Sequence, residues 1–170
     1  MIGWEAFKGR VFQNLKRVEF QTDEYWGQPL QIGSYSFWES PLSALDNFGD
    51  IFCETIGEAA FSQCKNLQNV TFNGGISFFD QYSFEDCWGL SSLYFPDGVS
   101  TIADNAFLNC RNLKTVSVYR DASIGTDSFG CGYGQSITDF EVRVMPTEEI
   151  EFKNNYSWGI GDTSVIHGTD

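Results

Sequence analysis

A short hydrophobic pattern recurs along the chain and ends each time in a phenylalanine that follows an Ala or a Ser. The intervals between these phenylalanines are 30, 24, 23, 23 and 22 residues. A nearly constant period with constant chemistry predicts one supersecondary unit that is reused along the chain, as in a solenoid. The six phenylalanines are Phe7, Phe37, Phe61, Phe84, Phe107 and Phe129.

A second hydrophobic pattern follows each phenylalanine and is clearest in FSQCKNLQNVTF, FEDCWGLSSLYF and FLNCRNLKTVSV. A Cys lies three residues after the Phe, a Leu three residues after the Cys, and apolar residues lie three and five positions beyond the Leu. This spacing therefore predicts a short strand, in which the side chains of Leu67, Val70 and Phe72 face inward. In the second unit the stretch SPLSALDNFGD departs from this strand pattern. The first and last units have it two residues later, with Leu15, Val18 and Phe20 and with Ile137, Phe140 and Val142.

The pattern in LSSLYFPDGVSTIADNAFLNC closely resembles the BspA-type leucine-rich repeat, over about residues 2 to 144. The resemblance implies an α/β fold class: a right-handed leucine-rich-repeat solenoid with a parallel β-sheet on one face and short strands or single helical turns on the other, strand-rich overall. It also implies a surface or secreted binding protein, since the family includes adhesins of bacteria.

The repeats divide the chain into two parts. Residues 1–144 are expected to form six units, of which the second is irregular. Residues 145–170 alternate apolar and polar side chains and are expected to form a C-terminal capping strand segment. The alternative for this tail is the start of a further domain.

Composition and charge exclude several classes of protein. Apolar residues make up 42% of the 170 residues, so a packed core is expected. A net charge of −13 repels phosphate backbones and anionic lipid, which disfavours nucleic acid as a partner. No run of 18 apolar residues is present, so no membrane insertion is expected. The start MIGWEAFKGR lacks the features of a secretory signal and begins inside a repeat, which predicts a fragment boundary or a removed leader.

The five cysteines are interpreted as core residues. Cys64, Cys87 and Cys110 occupy the same position in successive units, which places them in one buried column. Neighbouring strands lie about 4.8 Å apart with parallel side chains, a geometry unsuited to disulfides. Cys53 and Cys131 lie outside the column, and for them a reactive thiol is the alternative to a buried one.

Catalysis is not expected. The single histidine, His167, lies in the tail, and neither a nucleophile elbow nor a phosphate-binding loop is present. No C-x-x-C motif occurs, so no metal site and no cofactor are predicted. Paired carboxylates for glycoside hydrolysis remain an alternative, although solvated surface acids are the more common explanation. The available carboxylates are Asp46, Asp50, Glu148, Glu149 and Glu151.

Two surfaces are candidates for binding. The first is the outward face of the predicted sheet, where rows of small polar groups surround a tyrosine; the alternative is that these residues are polar only because they face water. The second is a group of aromatic side chains in the irregular second unit, which either bind a partner or fill an irregular junction. The sheet-face residues are Asn69, Thr71, Ser92, Tyr94, Thr115, Ser117, Asp139 and Glu141. The aromatic residues are Tyr25, Trp26, Trp38 and Phe48.

Two functions are consistent with these features. A non-catalytic recognition or adhesion module, at the cell surface or secreted, would present one of the two surfaces to a protein or a glycan. The alternative is a structural or docking component of a larger assembly, with self-association through the uncapped N-terminal repeat.

Overall fold

The structure is a computed structural model that describes residues 1–9, 11–20, 29–46, 48, 53–72, 76–119, 121–130, 141–145 and 165–168. Within these ranges the regular elements are strands of two to five residues, and all their pairings are parallel. The strands are β1 Arg17–Glu19, β2 Leu30–Ile32, β3 Ala44–Asp46, β4 Cys53–Ile56, β5 Phe78–Phe79, β6 Ser92–Tyr94, β7 Thr101–Ile102, β8 Thr115–Tyr119, β9 Ser123–Ile124, β10 Glu141–Met145 and β11 Val165–Gly168.

The segments that precede the phenylalanine turns form one five-stranded sheet in the order β2-β4-β5-β7-β9, with strands of two to four residues. Ile56, Phe79, Ile102 and Ile124 pair in successive strands and form one row of apolar side chains. An isolated bridge between Ile2 and Ile32 adds the first unit to this row. Each unit therefore contributes one segment to the sheet just before its turn.

The strands that follow the phenylalanines lie in two further parallel sheets, β1-β3 and β11-β10-β8-β6. A bridge between Ala44 and Asn69 places the third unit beside β3. The second unit therefore contributes a strand, β3, although its sequence departs from the strand pattern. β3 pairs with β1 from Arg17↔Ala44 to Glu19↔Asp46. The predicted solenoid, with parallel strands in each unit, is confirmed.

The turns around the phenylalanines are stacked β-turns, and the described residues contain no α-helix. Left-handed residues lie two positions before and two after the Phe, for example Tyr35 (φ 57°) and Glu39 (φ 56°) around Phe37. Backbone N–H groups of one turn donate to carbonyl oxygens of the next unit, as from Phe37 to Ala60 at 2.8 Å and from Glu39 to Ser62 at 2.9 Å. The expected short strands are present opposite the longer ones, whereas the helical turns given as their alternative are replaced by these β-turns in the described residues.

Two columns of phenylalanine rings fill the core. Rings in the first column stack at 5.2, 5.0, 4.9, 5.1 and 5.6 Å between centroids, from Phe7 to Phe129. The second column contains Phe20, Phe48, Phe72 and Phe95 at the ends of the strand segments. Edge-to-face contacts join the columns, as between Phe95 and Phe107 at 5.4 Å. The predicted phenylalanine column is therefore confirmed, and it fixes how each unit sits on the next.

Candidate functional site

The outward face of β6 and β8 displays two rows of polar side chains. Ser92 pairs with Thr115 and Tyr94 with Ser117 in register, while Leu93 and the valines of β8 between them point into the core. Ser92 and Tyr94 are exposed, and Thr115 and Ser117 are half-buried. The strict alternation of the sequence therefore positions these four predicted residues together.

Tyr94 is the most prominent side chain of this face, with 48% of its surface exposed. It is hydrogen-bonded to Tyr119, at the end of β8, and this bond is the largest cause of the raised pKa of the Tyr119 hydroxyl. Tyr119 was not among the predicted residues. Tyr119 continues the alternation of outward residues that begins with Thr115 and Ser117, and this alternation predicts that it faces outward. It has no counterpart in β6, because β8 is two residues longer.

The third unit extends the face on the other side. Asn69 and Thr71 are both exposed, while Val70 between them and Leu67 before them are buried. The outward positions of the third, fourth and fifth units thus include no Asp, Glu, Lys or Arg, on a chain of net charge −13. This neutral face consists of Asn69, Thr71, Ser92, Tyr94, Thr115, Ser117 and Tyr119.

The sixth unit joins the face in a different register from the predicted one. Asp139 lies outside the described residues. Glu141 pairs with Thr115, and the exposed Arg143 pairs with Ser117, whereas the repeat spacing placed Glu141 opposite Ser117. The pairing is shifted by two residues from the predicted one: Val142 and Val144 pair with Val116 and Val118, where the apolar pattern predicts Phe140 and Val142. Charged residues therefore border the neutral face.

The predicted aromatic surface is only partly described, since Tyr25 and Trp26 lie outside the described residues. Trp38 is half-buried: the ammonium group of Lys8 lies 4.4 Å from its ring centroid, and Tyr35 meets it edge-on at 6.3 Å.

Phe48 does not belong to any surface, and its prediction as a binding residue is wrong. Only 1% of it is exposed, and it contacts Phe20, Phe61 and Phe72 with centroids 5.0, 6.1 and 6.2 Å apart. It serves as the strand-end phenylalanine of the second unit, whose strand is irregular. The alternative interpretation, an aromatic residue that fills an irregular junction, describes Phe48 correctly.

The cysteine column is buried, as predicted, and its thiols form hydrogen bonds. The Sγ atoms of Cys64, Cys87 and Cys110 each donate to a phenylalanine carbonyl of the preceding unit at 3.1 to 3.2 Å. Burial raises the pKa of Cys64 and of Cys53 to about 12, and that of Cys87 well above its usual value. Because the thiolate is the nucleophile, these positions are suited to packing and not to thiol chemistry.

Acidic side chains of the described part form ion pairs and hydrogen bonds with neighbouring residues. Asp46 pairs with Arg17 at 2.6 Å, and Glu85, whose pKa is raised by desolvation, accepts a hydrogen bond from Ser62. Asp50 and the glutamates of the tail lie outside the described residues. Over the described ranges no three His, Cys, Asp or Glu residues are placed to hold a metal ion. In the same part of the chain no helix has the length and apolar character needed to cross a membrane.

Comparisons with known proteins agree with this architecture. A family model described as BspA type leucine rich repeat region matches residues 30–157 with six copies. A leucine rich repeat protein of T. pallidum has a crystal structure with a TM-score of 0.61 and 19% identity, covering 75% of this chain and 57% of that one. A leucine-rich repeat protein from Bacteroides ovatus ATCC 8483 gives a TM-score of 0.62 and 16% identity, covering 92% and 43%. The chain thus spans about half the length of these two structures. No curated protein matches it.

Proposed function

Because the chain belongs to the BspA-type leucine-rich repeat family, we propose that it is a non-catalytic recognition module, secreted or at the cell surface, that binds a protein or a glycan through its neutral face. The observation that supports this is the neutral face itself: seven outward polar or tyrosine side chains on three neighbouring units, with Tyr94 projecting from it. Tyr is well suited to such a role, since it combines a large apolar ring with a hydroxyl at low entropic cost.

The absence of charge on this face predicts the mode of recognition. A partner would be held by hydroxyl hydrogen bonds and by contact with the tyrosine rings, so its affinity should depend weakly on salt. The charged borders at Glu141 and Arg143 would limit how the partner is placed.

Binding arrays of extracellular proteins and glycans test the proposal. Tyr94→Ala should weaken binding of the captured partner at least tenfold, and raising salt from 0.15 M to 0.5 M should change the affinity by less than about twofold. Tyr82→Ala, in the turn of the fourth unit, is the matched control and should bind as the wild type does. Equal binding by the wild type and Tyr94→Ala would reject the neutral face as the site.

We propose the aromatic residues of the second unit as a second contact surface, on the basis of the half-buried Trp38 and of Tyr25 and Trp26 in the preceding insertion of the sequence. Replacing Trp26 and Trp38 with Ala should weaken binding while leaving the circular dichroism spectrum unchanged. Unaltered binding would reject this surface and leave the neutral face as the site.

A structural or docking role is the second candidate, and the first unit favours it. Met1, Trp4 and Val11 are 85%, 70% and 75% exposed around the half-buried Phe7. We infer that these exposed side chains pack on a second copy of the chain. Light scattering should then show dimers that Trp4→Asp dissociates, while Thr126→Asp, a control at an exposed position of the sixth unit, has no effect. A monomer at millimolar concentration would exclude this candidate.

A further inference from the structure

Three neighbouring units place a lysine, a tryptophan and an arginine at the same position, four residues after the phenylalanine. They are Lys65, Trp88 and Arg111. The Lys65 Nζ atom lies 4.5 Å from the Trp88 ring centroid, and the Arg111 guanidinium carbon lies 4.6 Å from it. The two cations reach the indole from the unit before it and from the unit after it. Because both lie over the same ring, the Lys65 Nζ atom and the Arg111 guanidinium carbon are at most about 9 Å apart (4.5 Å plus 4.6 Å).

Hydrogen bonds hold this arrangement in place. The Trp88 indole N–H donates to Asp86 Oδ1 at 3.1 Å, and the side-chain amide of Asn109 donates to the same oxygen. Arg111 Nε donates to Asn109 Oδ1 at 3.0 Å. The guanidinium is thus fixed by its Nε and by the indole, and within the described part of the chain its two terminal nitrogens remain for a ligand.

Among the described residues, neither cation has an acidic partner. In the part of the chain that the structure describes, no carboxylate lies within ion-pairing distance of Lys65 or Arg111, and both residues are exposed. The chain contains 23 acidic and only 10 basic residues, so this lack of pairing is not due to a shortage of carboxylates. The nearby Asp86 carboxylate is engaged by Trp88 and Asn109.

We propose that Lys65, Trp88 and Arg111 form a binding site for an acidic peptide segment, separate from the neutral face. The terminal nitrogens of Arg111 match the two oxygens of a carboxylate, and Lys65, within about 9 Å, supplies a point charge for a second carboxylate. A peptide fits better than a long polyanion, because nucleic acid or a sulfated polysaccharide would extend beyond the three residues and meet the field of the −13 chain.

Fluorescence anisotropy with a fluorescein-labelled hexaglutamate peptide at 50 mM salt tests this site. Lys65→Gln and Arg111→Gln should each weaken binding at least fivefold. Lys114→Gln removes the same charge from an exposed lysine and should leave the affinity within twofold. Arg111→Lys keeps the charge but removes the fork of nitrogens, and a loss of at least threefold is expected. Lys65→Met keeps the apolar stem on the indole and should bind as weakly as Lys65→Gln.

Four results would overturn the site. They are no binding of hexaglutamate up to 1 mM, an equal loss in Lys114→Gln, wild-type affinity in Arg111→Lys, or tighter binding of a heparin hexasaccharide with the same dependence on Lys65 and Arg111. The last result would identify a sulfated glycan as the ligand. Because the neutral face is not involved, Tyr94→Ala should bind hexaglutamate normally, so the failure of either proposal leaves the other testable.

Discussion

Ser40 occupies the position that Cys64, Cys87 and Cys110 hold in the next three units, three residues after the phenylalanine. Those thiols donate to carbonyl oxygens, whereas the Ser40 hydroxyl is buried without a hydrogen-bond partner in the described structure. A buried hydroxyl without a partner costs about 1–3 kcal/mol. We expect Ser40→Cys to raise the free energy of unfolding, measured by urea denaturation, by about 1 kcal/mol.

The reverse change provides the control for this prediction. Cys64→Ser places a shorter and more strongly hydrated group in the same column, and it should lower the free energy of unfolding by about 1–2 kcal/mol. If Ser40→Cys proved less stable than the wild type, the thiol–carbonyl contacts would have no stabilising role.

The buried thiols also predict how stability depends on pH. Burial raises the pKa of Cys64 from 9.0 to about 12. Between these values the unfolded chain loses the thiol proton and the folded chain keeps it, so the free energy of unfolding falls as pH rises above 9. Below pH 9 the thiol is neutral in both states, and its contribution to stability does not change.

Urea titrations at pH 8, 9, 10 and 11 measure this effect. Cys64→Ala removes one such group, and its stability should fall less steeply above pH 9 than that of the wild type, by roughly 1 kcal/mol per pH unit. Glu54→Gln, which changes an exposed side chain and leaves every thiol in place, should keep the wild-type slope. Parallel curves for Cys64→Ala and the wild type would show that the Cys64 thiol ionises equally well in both states.

At the scale of the structural element, the stacked turn requires left-handed backbone at positions where the sequence supplies ordinary residues. Gln63 has φ 61° two residues after Phe61. A left-handed conformation costs a residue with a Cβ about 1–2 kcal/mol, whereas glycine adopts it freely but loses more entropy on folding. We expect Gln63→Gly to raise the free energy of unfolding by about 0.5 kcal/mol.

Gln68→Gly is the matched control for this prediction, because Gln68 lies five residues later, is exposed and does not have a positive φ. It should lower stability by about 0.5–1 kcal/mol, measured by the midpoint of thermal unfolding. Equal effects of the two substitutions would contradict a conformational cost at the turn.

The elements that the sequence predicts well are those whose period is strict. The phenylalanine and cysteine columns follow from the spacing of the third to fifth units, since equivalent apolar residues must cover one another. The irregular units are harder to predict, because an inserted or missing residue moves the strand without changing its composition. The spacing therefore does not reveal that Phe48 belongs to the core, and it predicts a register for Glu141 that is wrong by two residues. The spacing predicts that Lys65, Trp88 and Arg111 are neighbours, but not that both cations lie over the indole or that Asp86 and Asn109 are bonded beside it.

At the scale of the whole molecule, each unit is stabilised mainly by the units on either side of it. Phe84 is fully buried between Phe61 and Phe107, with ring centroids 4.9 and 5.1 Å away, whereas Phe7 is half-buried and stacks only on Phe37 within its column. The column can therefore be weakened either at its centre or at its end.

The same substitution at these two positions tests how cooperative the stack is. Phe84→Ala should lower the free energy of unfolding by about 3–5 kcal/mol. Phe84→Leu, which retains most of the side-chain volume, should lower it by about 1.5 kcal/mol, and Phe7→Leu by less than about 1 kcal/mol. A weakened central interface allows the two halves to unfold separately, so Phe84→Leu should also broaden the urea transition, whereas Phe7→Leu should increase amide exchange only in the first unit. The two leucine variants could instead lose equal free energy of unfolding and both keep sharp urea transitions. The chain would then unfold as a single cooperative unit, and the nearest-neighbour account of its stability would be wrong.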